Sequence, residues 1–212
     1  MGITRERFNQ GLTYEQYKAQ MTQNKEQFER NEALQLSEAD LAPFKNLPKS
    51  IDVVVVAEDW CGDVVANTPI LGRIARESGK LNLRVFVRDQ NKDVIAEYMN
   101  GQYESIPVFA FYDSDWNELG VWIERPKSVS DLRAQKTREI HQQNPEFGPL
   151  GAPTSELSED VRNRLQAALR DMRSSTAEFY SRETVRELGE MVTQMGTGKA
   201  AGRRGNLATA TA

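Results

Sequence analysis

The sequence predicts an α/β fold in which a central mixed sheet is flanked by helices, with extra N-terminal and C-terminal helices. Three observations predict it. The run Val53-Val54-Val55-Val56 is apolar without alternation, as a strand covered on both faces must be. From there to Tyr112 short apolar runs and helical periods follow in the order β-α-β-α-β. Outside that block, polar segments carry apolar residues at three- and four-residue steps, the spacing of amphipathic helices.

Residues 1 to 48 read as an N-terminal helical extension. Tyr14, Tyr17, Met21, Lys25 and Phe28 fall on one stripe and predict a single docked outer helix. Ser37 before Glu38-Ala39-Asp40 starts a short second helix, which Pro48 stops. The core spans residues 49 to 143 and opens with the strand Ile51 to Ala57, the candidate central strand. After Trp60-Cys61-Gly62-Asp63, the residues Val64, Val65, Leu71, Ile74 and Ala75 keep a helical period, interrupted at Pro69 and ended at Gly79.

Leu83 to Val87 is a strand, Lys92 to Met99 a helix ended by Asn100-Gly101, and Val108 to Tyr112 a third strand. Asp113-Ser114-Asp115 with Asn117 turns the chain into Glu118 to Glu124, an antiparallel return. A helix from Val129 to Gln142 covers the sheet. Residues 144 to 156 hold Pro145, Gly148, Pro149, Gly151 and Pro153 and read as a linker.

Residues 157 to 195 carry two further stripes. One is Val161, Leu165, Leu169 and Met172; the other is Val185, Leu188, Val192 and Met195 after a cap at Ser181. They have two uses, completing their own domain's core or forming a homodimer interface, and the first is favoured. Residues 196 to 212 have little to bury and are predicted to be a disordered tail.

Composition narrows the function. A net charge of −4, with Arg203-Arg204 as the only basic cluster, argues against nucleic acid as a main partner. No run of about eighteen apolar residues and no leader-like N-terminus is found, so no membrane association and a cytoplasmic location are expected. One cysteine and one histidine among 212 residues exclude an internal disulfide and a Cys/His zinc site. No cofactor or metal is expected.

The candidate chemistry centres on Cys61. It follows a buried strand and opens a helix, where free backbone N–H groups and the positive end of the helix dipole favour a thiolate. Glu58, Asp59 and Asp63 oppose a further negative charge, and the sequence does not decide which effect wins. Asp63 reads more readily as a cap on the first helical turn than as a direct participant. Arg88-Asp89-Gln90-Asn91 reads as ordinary loop polarity, His141 as a surface side chain, and Trp60 equally as surface platform or packing.

Trp60-Cys61-Gly62, Pro69 eight residues after the cysteine, and Ile106-Pro107 opening a later strand resemble the thioredoxin superfamily. The fuller string Glu58-Asp59-Trp60-Cys61-Gly62-Asp63 resembles a bacterial thioredoxin-like family in which the cysteine commonly stands alone. The resemblance implies a thioredoxin fold, Cys61 as the catalytic residue at an exposed turn, and Pro107 in a cis peptide bond beside it. Trp60, Gly62, Asp63, Ile106 and Pro107 become the substrate-binding candidates.

Two departures matter. Val64 stands where a dithiol thioredoxin carries its resolving cysteine, and Val55 stands where typical members carry a buried acid. The resemblance then implies a monothiol thiol-disulfide oxidoreductase, exchanging with a protein or low-molecular-weight thiol or disulfide and resolved by an external thiol. The alternative is a non-catalytic thioredoxin-fold binding module. A thiol peroxidase or peroxide sensor is weaker, lacking the arginine or threonine constellation such a site needs.

Overall fold

The computed structural model describes residues 2 to 208. Nine α-helices and five strands are described, in the order α1 (Arg5–Asn9), α2 (Tyr14–Gln20), α3 (Lys25–Glu32), α4 (Glu38–Lys45), β1 (Ile51–Ala57), α5 (Gly62–Ser78), β2 (Leu81–Val87), α6 (Lys92–Ala96), β3 (Val108–Tyr112), β4 (Glu118–Ile123), α7 (Lys127–Gln143), α8 (Glu159–Ser175), α9 (Ala177–Gly196) and β5 (Gly202–Gly205). The strands form one mixed sheet in the order β2-β1-β3-β4-β5. β1 pairs parallel with β2 and antiparallel with β3, so the chain belongs to the α/β class the apolar run predicts.

Val53 to Val56 are wholly buried, which is why that run does not alternate. β1 is an interior strand, and β3 is the middle one of the five. Val55 faces Val85 on one side and Phe109 on the other. Phe109 stacks on Trp122 of β4 with ring centroids 5.0 Å apart, and the indole Nε1 donates to Glu187 at 2.7 Å.

The single outer helix expected over residues 14 to 28 is two helices. α2 ends at Gln20, and α3 begins after Asn24, whose left-handed backbone (φ 54°) redirects the chain. Asp59 holds this break, its carboxylate accepting from the backbone N–H groups of Thr22 at 2.7 Å and Gln23 at 2.9 Å. A stripe at helical spacing says which residues face inward; it does not register a turn pinned from another element. Glu32 then ties the two helices to α5, accepting from Lys18 at 2.6 Å and Arg76 at 3.0 Å.

α5 continues through Pro69. Proline has no N–H to offer the carbonyl four residues before it, here Val65. Asn31 of α3 supplies the missing donor, its Nδ2 reaching the Val65 oxygen at 2.8 Å. Close approach also shapes the outer face: a Cβ at Gly72 would run into the Tyr14 ring, so only glycine lets α2 lie against α5 there.

α6 is shorter than the expected Lys92 to Met99, ending at Ala96. The second C-terminal helix begins at Ala177, with Thr176 as its N-cap position, and Ser181 lies inside it, its hydroxyl donating to the Ala177 carbonyl at 3.1 Å. A serine within a helix can satisfy itself on the preceding turn, so its presence alone does not mark an end. Leu188, Met191 and Val192 are fully buried in the main core, each worth about 1.5–3 kcal/mol of transfer free energy. His141 is half-buried, with its Nδ1 2.9 Å from the Gly148 carbonyl oxygen and its ring against Phe147.

The expected disordered tail contains a strand. β5 runs parallel to β4 from Gly120↔Gly202 to Ile123↔Gly205, flanked by Ala201 N–H to Leu119 O at 2.7 Å and Asn206 N–H to Ile123 O at 3.0 Å. Its stability comes from main-chain hydrogen bonds, which composition does not display. Gly205 has φ 93°, and a Cβ there would strike the Ile123 carbonyl. At the opposite edge Leu12 exchanges both backbone hydrogen bonds with Val85 of β2. β5 is thereby the strand at one edge of the sheet, and Leu12 bridges the other edge at a single residue. The rest of the expected tail, residues 209 to 212, lies outside the described residues. Among the described residues no helix is long and apolar enough to cross a membrane.

Asn31→Leu is expected to destabilise the fold by about 1–3 kcal/mol, because the Val65 carbonyl then loses its only replacement donor; urea denaturation measures it, and a variant as stable as the parent would contradict this role. Gly205→Val is expected to release β5, seen as faster amide hydrogen exchange confined to residues 119 to 123 and 201 to 206.

Candidate functional site

The turn between β1 and α5 carries the candidate site. Cys61 is the N-cap residue of α5 and is half-buried. Its thiol donates to the Ile106 carbonyl at 3.7 Å, and the Ile106–Pro107 peptide bond is cis. Ile106 and Pro107 are buried, Gly62 is exposed at the first position of α5, and no atom lies within 4 Å of where a Gly62 side chain would begin. Val55 and Val64 are both completely buried, so apolar packing lies beneath the sulfur where the resemblance places an acid and a second thiol.

The balance the sequence leaves open falls on the side of the protonated thiol. Burial pushes the Cys61 thiol up, the backbone N–H groups of Val64 and Asp63 pull it down, and the charges of Asp63 and Glu124 push it up again. The helix N-terminus is present and is outweighed.

Asp63 does not cap the helix. Its carboxylate instead meets Arg125, with Nη2 at 2.7 Å and Nε at 3.1 Å, then Arg133 at 3.3 Å and the Tyr180 hydroxyl at 2.7 Å. The pull of two cations and a phenol from β4–α7 and α9 exceeds what one backbone N–H offers. Asn67, one turn along and wholly buried, accepts from Thr184 at 2.6 Å and donates to Tyr180 at 2.7 Å and to the Asp63 carbonyl at 2.8 Å. Glu124 also pairs with Arg125. The carboxylate beside the thiol is therefore gripped by groups from two later helices.

Trp60 is 45 % exposed, so it is not core packing. The Arg88 guanidinium lies 4.9 Å from its ring centre, and Arg88 also pairs with Asp89 and Glu104. The loop after β2, read from sequence as ordinary polarity, thus reaches the Cys61 turn; Asp89 N–H also donates to Glu58 at 2.8 Å. Beyond Arg88 opens a cleft of about 520 Å³ lined by Tyr103, Ser105, Glu124 and Asn206.

Of the expected site residues, the fold brings Cys61, Trp60, Gly62, Asp63, Ile106 and Pro107 to one turn and the loop facing it. Arg88, Glu124, Arg125, Arg133, Asn67 and Tyr180 were not among them. Asn67 alone had a visible signal, a carboxamide on the apolar face of α5 between Val64 and Leu71. The others are remote in sequence, and nothing local marks them.

Because the Asp63 charge raises the thiol, Asp63→Asn is expected to move the pH midpoint of Cys61 alkylation downward. Arg125→Gln takes from Asp63 and Glu124 the cation they share, leaving Asp63 with Arg133 alone, and moves it upward. Intact-mass kinetics with iodoacetamide reads both; midpoints that shift together would refute the assignment.

A family model described as Thioredoxin matches residues 11–138, which includes α2 to α6, β1 to β4 and the Cys61 turn. No curated protein matches the chain. Two solved structures share the fold. An HIV epitope scaffold is 14 % identical, with a TM-score of 0.57, and the alignment covers 87 % of this chain and 94 % of that one. A protein of unknown function from Pseudomonas aeruginosa is 17 % identical with the same TM-score, covering 82 % and 99 %. With a strand–Trp-Cys-Gly–helix turn facing an Ile-Pro loop across a mixed sheet, and a family match over more than half its length, the chain belongs to the thioredoxin family.

Proposed function

We propose that the protein is a monothiol thiol–disulfide exchange protein acting through Cys61. The observation that supports this reading is the placement of the sulfur: at the N-cap of α5 and against the Ile106 carbonyl of the opposing loop. A reacting disulfide here has a nucleophile, donors for a developing thiolate, and an adjacent backbone.

The step is an exchange. Cys61 gives its proton to solvent, and the thiolate attacks one sulfur of R–S–S–R′. The S–S bond breaks, Cys61–S–S–R forms, and R′–S⁻ leaves and takes up a proton. Val64 cannot complete the cycle, so the thiolate of an external thiol attacks the mixed disulfide, forms a disulfide with R, and returns Cys61 as thiolate.

The second reading is a binding module that keeps the fold without turnover. The raised thiol favours it, together with the absence of a buried acid beneath the sulfur.

Incubation with hydroxyethyl disulfide followed by intact mass separates the two. The exchange reading expects one adduct on the folded chain, none on Cys61→Ser, and its loss on adding glutathione. A folded chain that stays unmodified while the urea-unfolded chain reacts leaves the binding module.

A further inference from the structure

Between the α2–α3 break and the Cys61 turn lies a second cleft of about 370 Å³, on the side of Trp60 that leads to α2. Among the described residues no lysine or arginine lines it. It is lined by the carboxylates of Glu58 and Asp59 and the carboxamides of Gln20, Gln23 and Gln90. Glu58 is buried, and while one of its oxygens accepts from Asp89 N–H, the other has no hydrogen-bond partner among the described residues. Gln20, Gln23 and Gln90 are exposed at its mouth, and their side-chain amides make no hydrogen bond to another described residue.

Tyr17 closes the inner wall. It is only 2 % exposed, and its hydroxyl has no hydrogen-bond partner. The same hydroxyl is held protonated by burial first and then by the charges of Asp59, Glu58 and Cys61. A phenol so deeply buried normally finds a partner, and an unpaired buried hydroxyl costs about 1–3 kcal/mol. The cleft thus presents two negative charges and several oxygen acceptors with no internal cation, one residue away from the reactive sulfur.

We propose that this cleft is a specificity subsite for a cationic side chain, lysine or arginine, carried next to the cysteine of a polypeptide that exchanges with Cys61. The inference rests on the exchange reading for the position of the partner's cysteine and on the cleft itself for the charge. An ammonium or guanidinium group supplies the donors that Glu58 and the three carboxamides lack, and its charge offsets the acidic surroundings of the sulfur. An acidic peptide meets Glu58 and Asp59 with no compensating cation.

The test compares mixed-disulfide formation from three capped tripeptides with an identical thiopyridyl-activated cysteine, flanked by lysine, glutamine or glutamate. Rates are divided by those of the urea-unfolded chain to remove intrinsic reactivity. The expected order is lysine, glutamine, glutamate, with roughly a tenfold span at low ionic strength that contracts in high salt. Glu58→Gln is expected to narrow the span. Gln90→Lys is expected to abolish it, since it places a cation in the cleft at an exposed position and removes no hydrogen bond. Equal relative rates for the three peptides, or a span that neither variant changes, overturn the subsite. If no peptide reacts, the exchange reading fails, and the cleft is judged by NMR titration of Cys61→Ser with the lysine-flanked serine tripeptide. Shifts confined to Gln20–Gln23 and Glu58–Trp60 support the subsite; their absence removes it.

Discussion

From Val53 to Ala57 strand β1 has no face or edge in water, and much of the architecture answers that constraint. Four consecutive valines need apolar cover above and below, and their backbone needs a partner on each side. β2 and β3 satisfy the backbone, while helices from both ends of the chain contribute to the cover. The first residues free of that demand are those of the turn after Ala57, and there the side chains change from apolar to Glu58, Asp59, Trp60 and Cys61. The thiol is thus fixed at the place where a rigid buried element meets solvent.

That position does not by itself make a reactive cysteine. The α5 N-terminus offers two N–H groups, yet burial and the carboxylates of Asp63 and Glu124 keep the thiol protonated. Arg125, Arg133 and Tyr180 take up the Asp63 carboxylate, so groups outside α5, on α7 and α9 among them, hold in place a charge that acts on the sulfur. Tyr180 and Thr184 lie beyond the residues that match the family model, which makes the C-terminal helix an electrostatic component of the site as well as part of the core.

The two ends of the chain act alike in another respect. Leu12 bridges β2 at Val85 and β5 extends the sheet beyond β4, each through main-chain hydrogen bonds. β5 is only four residues long, and an edge strand so short offers little ladder for another strand to join.

Legible in the sequence were the α/β class, the strands at Ile51–Ala57 and Val108–Tyr112, the stop of α5 at Gly79, and the Trp60-Cys61-Gly62 turn; that Ile106 and Pro107 face it came from the family resemblance. Those features depend on local periodicity, on glycine and proline geometry, or on a short motif, all of which are written in neighbouring residues. The tertiary structure decided the rest. The break at Asn24 depends on Asp59, the continuity of α5 through Pro69 on Asn31, the course of β5 on the edge of β4, and the direction of Asp63 on Arg125 and Tyr180. Each is a hydrogen bond or ion pair between groups 34 or more residues apart, or a backbone ladder that any side chain can enter, so no local pattern encodes it and only the folded chain brings the partners together.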